Sequence, residues 1–282
     1  MTSEKNEGRV VMLVNSCDAY SDVWPLFFGA LEEHWPDRNV DVVLNTESLS
    51  SGVKAERLIF SNYVGECGRD QWGARLLRAL KSQESEYVMV VYDDFILESR
   101  FDSERLARLV EFMDEHPDAA VCYLAQMGFK TEQSAKQSGI SKLLDRTEYR
   151  LNSAPALWRR TDLINYTGVH DTPWAWEVFG SYRTYGDGRG FYCPSRPEDD
   201  VYCYNHEKGG AIYRGKWVAE VVVSKNERYQ LGIDLQQRGL VTKSSVQKRT
   251  LKWKAQFLWL GYKMVGFKFL YFVSRALGSK FR

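Results

Sequence analysis

A chain of 282 residues that is 44% apolar and 27% charged can bury a sizeable core. It has the balance of a soluble globular protein, either one large α/β domain or a domain with an extension. With 38 basic against 37 acidic side chains, the chain lacks the overall basic excess of a nucleic-acid binder. No uninterrupted apolar run is long enough to span a bilayer.

The stretch from Met1 to Gly8 is polar and lacks the apolar core of a signal peptide. Arg9 to Asn15 reads as a first buried strand and ends in the polar cluster Asn15-Ser-Cys-Asp18. Ser21 or Asp22 is placed to cap a helix with Trp24, Phe27, Phe28 and Leu31 on one face. Val40 to Leu44 is a second strand, followed by Asn45-Thr46-Glu47. This strand–helix–strand rhythm predicts a parallel sheet. Leu58 to Phe60 is a short third strand, and Asp70 is placed to cap a helix carrying Trp72, Leu76, Leu77 and Leu80.

Tyr87 to Val91 is a continuous apolar, β-branched run, the pattern of a strand buried on both faces. It runs into Tyr92-Asp93-Asp94. In an open α/β sheet, ligands bind beyond the carboxyl ends of the strands. Two adjacent carboxylates repel and are costly to desolvate, so a divalent cation would suit them, and magnesium or manganese bridges carboxylates to phosphates. A solvated strand end, with one Asp capping the next turn, is the alternative. Phe101 to His116 is a further helix and Ala119 to Leu124 a further strand. Neither GxGxxG nor GxxxxGK[ST] occurs in this half, which disfavours a Rossmann dehydrogenase and a P-loop NTPase.

From Gln126 the rhythm changes. Lys130 to Lys142 reads as a polar loop, and Glu148 to Trp158 contains strand-like pieces. A helix begins near Arg159, and another runs from Pro173-Trp-Ala-Trp-Glu177 to Arg183. Tyr185 to Pro197, rich in Gly, Tyr and Pro, reads as loop. Asp199–Tyr204 and Ala211–Tyr213 are candidates to pair as strands, and Lys216 to Val223 suits a strand or a helix start. Glu177, set among tryptophans, is a candidate general base, because shielding from water raises a carboxylate's pKa. Trp174 and Trp176 offer flat faces to a sugar ring. Helix-dipole stabilisation of Glu177, with the tryptophans in the core, accounts for the same residues.

From Lys243 to Arg282 there are ten Lys or Arg and no acidic residue. On one helical wheel Leu251, Leu258, Tyr262, Val265, Phe269 and Val273 share an arc, with Lys252, Lys254, Lys263 and Lys268 off it. Such a helix suits an anionic membrane surface; packing of the arc on the rest of the protein is the rival. The five cysteines, Cys17, Cys67, Cys122, Cys193 and Cys203, are widely spaced and form no CxxC. That argues against a disulfide scaffold or a zinc ribbon and for a reducing compartment.

Taken together, Tyr92-Asp93-Asp94 after two strand-end polar clusters, followed later by Glu177, resembles the GT-A class of nucleotide-sugar-dependent glycosyltransferases, of bacterial surface-polysaccharide type. The resemblance covers roughly residues 9 to 220. It implies an α/β fold with a mixed, mainly parallel sheet flanked by helices. Residues 1–125 would be the nucleotide-sugar-binding half, 126–242 the acceptor-binding and catalytic half of the same domain, and 243–282 a basic amphipathic helical tail. It also implies transfer of a sugar from a nucleoside diphosphate sugar, UDP-linked by expectation, to a hydroxyl of a glycan or lipid-linked glycan.

The acidic motif departs from strict DxD, since position 92 is Tyr. By analogy Asp94 is the Mn²⁺ or Mg²⁺ ligand, with Asp93 beside it or nearer the ribose, and His206 a third ligand. Asn15, Asp18, Glu47, Trp72 and Arg75 would line the donor pocket. Arg214 and Lys216 would neutralise the leaving diphosphate. Glu177 would be the base of an inverting reaction, or an acceptor-binding group in a retaining one. The alternatives are a metal-dependent phosphoryl or nucleotidyl transferase and a non-catalytic, membrane-bound glycan-binding protein. The expected location is cytoplasmic, peripheral on the inner face of the membrane, with no nucleic acid partner.

Overall fold

The apolar runs near residues 10 and 90 become adjacent strands. In the computed structural model, which describes residues 8–48, 53–62, 67–68, 71–132, 139–206, 209–241 and 250–278, β1 (Val10–Asn15) pairs in parallel with β4 (Tyr87–Tyr92). On its other side β1 pairs with β2 (Asp41–Thr46), and β2 with β3 (Leu58–Asn62), again in parallel. The helices between these strands are α1 (Trp24–His34) and α2 (Trp72–Lys81).

Beyond β4 the sheet is completed by later segments. After α3 (Ser103–Glu115) come β5 (Ala119–Tyr123), β6 (Ile140–Lys142), β7 (Ala156–Arg159), α4 (Arg160–Tyr166), α5 (Pro173–Val178) and β8 (Gly190–Pro194). The eight-stranded order is β3-β2-β1-β4-β7-β5-β8-β6. Only β7 and β6 run against the rest. The sheet is therefore mixed and mainly parallel, with helices on both faces.

The two faces account for the unbroken apolar runs. Val10, Met12 and Val14, with Tyr87, Met89 and Val91, pack into one layer with α1 and α3. Val11, Leu13, Val88 and Val90 pack into the other with α2 and α4. Successive residues of a strand point to opposite faces, so a strand covered on both sides has no polar position to spare. At its end Asp93 is buried and Tyr92 and Asp94 are half-buried, which is what makes two carboxylates there consequential.

Several expectations change. α1 starts at Trp24 without a side-chain cap from Ser21 or Asp22. Pro25 has no backbone N–H to satisfy in the first turn, and Asp22 is held by Arg238 instead. Asp70 lies outside the described residues, as do 133–138, 207–208, 242–249 and 279–282. The supposed loops at 130–142 and 185–197 contribute β6 and β8, which pair with each other and, through β8, with β5. Gly190 and Pro194 mark the two ends of β8, so they punctuate a strand rather than exclude one. Residues 199–204 form no strand. Instead β9 (Ile212–Tyr213) pairs with β10 (Lys216–Val218), which runs straight into α6 (Ala219–Arg228). After α7 (Leu235–Arg238), β11 (Leu240–Val241) joins β10 to make a small three-stranded sheet.

The basic C-terminal segment forms α8 (Leu251–Val265) and α9 (Phe269–Gly278). One continuous wheel does not describe them, because Gly266 (φ +56°) and a 3-10 turn through Lys268 separate the two helices. The face turned to the protein is Phe257, Leu260, Met264, Val265, Phe269 and Phe272, packed on Val178, Phe179 and Tyr182. Leu251, expected on the apolar arc, is 82% exposed. The tail thus does pack on the domain, against α5 and the turn after it. No helix among the described residues is long and apolar enough to cross a membrane.

Candidate active site

β1, β2 and β4 end side by side, and their terminal residues lock together. The Asn45 side-chain amide donates to Asn15 Oδ1 at 2.9 Å, and Ser16 N donates to Asn45 O at 3.1 Å. Asp93 N donates to Asn15 O, which carries the ladder one step past the strand. These contacts floor a cavity of about 350 Å³ lined by Asn15, Ser16, Cys17, Tyr20, Trp72, Arg75, Tyr92, Asp93, Asp94 and Pro173. Asn15, Trp72, Arg75, Asp93 and Asp94, all predicted from sequence, are brought together here. A separate cavity of about 300 Å³ near Arg105, Arg108 and Arg196 contains none of the predicted residues.

The two carboxylates differ. Asp93 Oδ2 accepts from the Ser16 hydroxyl and from the Trp24 indole N–H at 3.2 Å. The Asp94 carboxylate accepts from no other side chain among the described residues, while its carbonyl accepts from Ala211 N at 2.7 Å. Gly210 approaches that same carbonyl so closely that a Cβ would lie 2.5 Å from the oxygen, and its φ is +106°. Only glycine fits there. Burial pushes both carboxyls up, and for Asp94 the charge of Asp93 adds to it.

Arg75 lines the cavity and pairs with Glu47 at 3.1 Å, while Glu47 accepts from Asp18 N at 2.5 Å. Asp18 is in turn held by Ser48 N at 3.1 Å and by the Ser48 hydroxyl. Asp18 and Glu47 therefore brace the wall from behind rather than line the cavity. Arg238 stacks over the Tyr20 ring at 4.7 Å, and its charge favours ionised Asp93. The Trp72 indole N–H is buried with no hydrogen-bond partner among the described residues, so a ligand acceptor would satisfy it.

Glu177 sits on α5, whose first turn is capped by the Thr172 side chain. Its Oε1 accepts from Ser153 N at 2.6 Å, and burial pushes its carboxyl above the ordinary range. Asn15, Tyr92 and Ser153 line one narrow cleft beside the cavity. Through the bond from Ser153 N, that cleft adjoins Glu177.

Five predicted residues fall elsewhere. Trp176 is 3% exposed, and its indole N–H donates to Tyr166 O at 3.2 Å; it is core, packed between Trp72 and Trp158. Trp174 is exposed at its edge, but its ring stacks on Trp253 and Phe257 of the tail, 4.9 and 4.2 Å between centroids. Arg214 and Lys216 flank the exposed β9–β10 turn and do not line the cavity; Arg75 does, and Arg238 stacks on Tyr20 of its lining. His206 lies beside Tyr204, and no group of three or more His, Cys, Asp or Glu suitable for a metal is found among the described residues. A three-ligand set including His206 is therefore not assembled. Ser16, Tyr20 and Tyr92 escape the sequence reading as pocket residues, although they adjoin the polar clusters that point here.

No protein-family model matches the sequence, and a search of curated proteins returns no match. Solved structures do match. S. aureus TarS is 14% identical with a TM-score of 0.50, covering 91% of this chain and 50% of that one. The chain has a GT-A-like fold. S. aureus TarS 1–349 in complex with UDP-GlcNAc is 12% identical at a TM-score of 0.46, covering 91% of this chain and 73% of that one. CMP:2-keto-3-deoxy-manno-octonic acid synthetase complexed with CTP is 15% identical at 0.43, covering 79% and 99%. This chain spans about half the length of the full TarS chain. In the GT-A-like sheet, the cavity over Asp93 and Asp94 lies at the carboxyl ends of β1 and β4, where open α/β sheets bind ligands.

Proposed function

We propose that the protein is an inverting glycosyltransferase that moves a sugar from a nucleoside diphosphate sugar, UDP-linked, to a hydroxyl of a glycan or lipid-linked glycan. The observation that carries this reading is the unequal carboxylate pair at the mouth of β4, Asp93 buried and Asp94 half-buried, with a third shielded carboxylate, Glu177, bound to Ser153 of the adjoining cleft. S. aureus TarS, which has the same fold, has been solved with UDP and with UDP-GlcNAc.

The donor atoms fit a hard cation: a buried and a half-buried carboxylate, the second accepting from no other side chain among the described residues, offer oxygen ligands only. Asp94, with Asp93, would hold manganese or magnesium. Bound there, the cation supplies Lewis-acid stabilisation of the leaving diphosphate. Asn15 and Arg75 orient the donor, and the Trp72 N–H donates to it. Glu177 takes the proton of the acceptor hydroxyl as its oxygen bonds to the anomeric carbon. The bond from that carbon to the diphosphate breaks on the opposite side, inverting the centre.

A thermal-shift panel of sugar nucleotides, each with and without manganese, tests this. The expected result is a rise in melting temperature with one UDP-sugar that requires manganese. Stabilisation by a nucleoside triphosphate instead, with pyrophosphate released on turnover, would indicate a nucleotidyl transferase. Stabilisation by glycans alone, with no response to any nucleotide, would indicate a binding protein.

The tail gives the proposed location, peripheral on an anionic inner membrane surface. Leu251, Trp259, Phe267 and Tyr271 are all more than half exposed, while the helices' other face is spent on α5. Lys252, Lys254 and Lys263 are exposed on the same helix, α8. Apolar rings beside lysines match a headgroup boundary. Cutting the tail away would bare Phe179, so the test is substitution of its outer face. Leu251→Ser, Trp259→Ser and Phe267→Ser together should reduce flotation with vesicles containing phosphatidylglycerol by about tenfold or more. Equal flotation of the variant and the parent would refute the surface assignment.

A further inference from the structure

With Trp176 in the core and Trp174 covered by the tail, the platform for an acceptor has to lie elsewhere. A second groove, of about 260 Å³, shares Asn152 with the narrow cleft that contains Ser153. We propose that this groove, lined by Met127, Phe129, Lys130, Glu148, Tyr149 and Asn152, seats a sugar ring of the acceptor, with the ring of Tyr149 as its platform. The proposal rests on the transferase reading and names where its second substrate sits.

The first support is position. Asn152 lines both this groove and the narrow cleft that contains Asn15, Tyr92 and Ser153. The next residue, Ser153, donates its backbone N–H to Glu177. The groove therefore ends one residue from the carboxylate that would take the acceptor proton. The negative charge of Glu177 is felt at the Tyr149 phenol.

The second support is the backbone of Tyr149 itself. Its φ is +53°, a left-handed conformation that a non-glycine residue holds at a cost. The neighbours enforce it. Arg150 is 1% exposed, its guanidinium donates to Thr184 O and Arg189 O, and it stacks over Phe191 at 4.0 Å. Arg150 O accepts from Tyr123 Oη, and Leu151 N donates to the Ser181 hydroxyl at 3.0 Å. With both following residues pinned inward, the Tyr149 side chain is left 44% exposed over the groove. A large ring held outward in this way is available to a ligand.

The third is chemistry. A sugar presents an apolar C–H face and a rim of hydroxyls. The Tyr149 ring, with Met127 and Phe129, suits the face. Lys130 can donate to hydroxyls and Glu148 can accept from them. Glu148 is also paired with Arg275 of α9 at 2.8 Å, so the groove opens directly beside the tail.

The test is saturation-transfer NMR on the full chain with a panel of methyl glycosides, alongside the sugar-nucleotide thermal shift on the same samples. The parent protein and Tyr149→Phe should saturate the C–H face of at least one glycoside. Tyr149→Ala, which keeps the backbone strain common to any non-glycine residue, should weaken that glycoside by about tenfold. All three should respond equally to the sugar nucleotide. If Tyr149→Ala does not purify folded, Lys130→Ala at the exposed rim should weaken the same glycoside by about threefold. Unchanged glycoside binding in these variants, or no saturation of any glycoside by the parent, overturns the groove and leaves the donor reading standing. Glycoside binding that depends on Tyr149, with no response to any sugar nucleotide, retains the sugar site and sinks the transferase.

Discussion

Asp94→Asn should lower the transfer rate by about 10³-fold, the scale expected when electrostatic stabilisation of a leaving group is lost. It should also abolish the manganese-dependent rise in melting temperature with donor. Asp93→Asn should cost less, about tenfold. The amide oxygen that this substitution leaves at position 93 can still accept from Ser16 and Trp24, the two donors that occupy Asp93, whereas Asp94 is the carboxylate left open to a ligand. Stability should move the other way. Burial raises the Asp94 carboxyl well above its unfolded value. Between those two values the folded state binds the extra proton, so stability is lost as pH rises through that window. An amide has no proton to lose, so Asp94→Asn should melt higher than the parent at neutral pH without metal. A variant that is inactive and less stable would point to a structural carboxylate. Equal losses for the two substitutions would remove the division of labour between them.

The parts of the site legible from sequence are those that lie at strand ends. Asn15, Asp93 and Asp94 each follow a continuous apolar run, and a run of that kind fixes both the strand and the place where it stops. The parallel half of the sheet is readable for the same reason. The other half is not. β8 contains a Gly and a Pro and spans five residues, so its local signal is that of a loop. It becomes a strand only because β5 and β6 offer backbone partners on either side. The aromatic setting of Glu177 marks it in the sequence, but the folded chain uses that setting differently. Trp176 shields the site from within the core, and Trp174 is consumed by a stack with Trp253 and Phe257, residues about eighty positions later. Tyr149 and Ser153 give no local sign at all. Their roles arise from the anchoring of Arg150 on Thr184 and Arg189 and from the bond of Ser153 N to Glu177, which only the folded chain makes. The cations are misplaced on the same grounds. Arg214 and Lys216 are conspicuous in sequence, yet it is Arg238 that stacks on Tyr20 of the cavity lining, held there by the Asp22 pair.

Glu177→Gln should lower kcat by about 10²- to 10⁴-fold, the contribution of a positioned general base. The donor-induced thermal shift should be unchanged, because Glu177 does not line the donor cavity. The pH profile adds a readout that a structural role would not move. Burial raises the Glu177 carboxyl, opposed by the hydrogen bonds from Ser153. The base must be ionised to work, so the parent's kcat/KM should fall on the acid side at a pH above the ordinary glutamate range, and this limb should vanish in the variant. The stability sign follows as for Asp94. A carboxyl raised on folding contributes a stability fully present at low pH and lost as pH rises through its folded value, so Glu177→Gln should melt slightly higher at neutral pH. The amide oxygen of this variant can keep the bond from Ser153 N, which holds the loop at Asn152 in place. A variant with near-parental kcat and an unshifted acid limb would show that the proton leaves by another route. Product NMR showing retention at the anomeric centre would reassign Glu177 from base to acceptor ligand while leaving the groove at Tyr149 where it is.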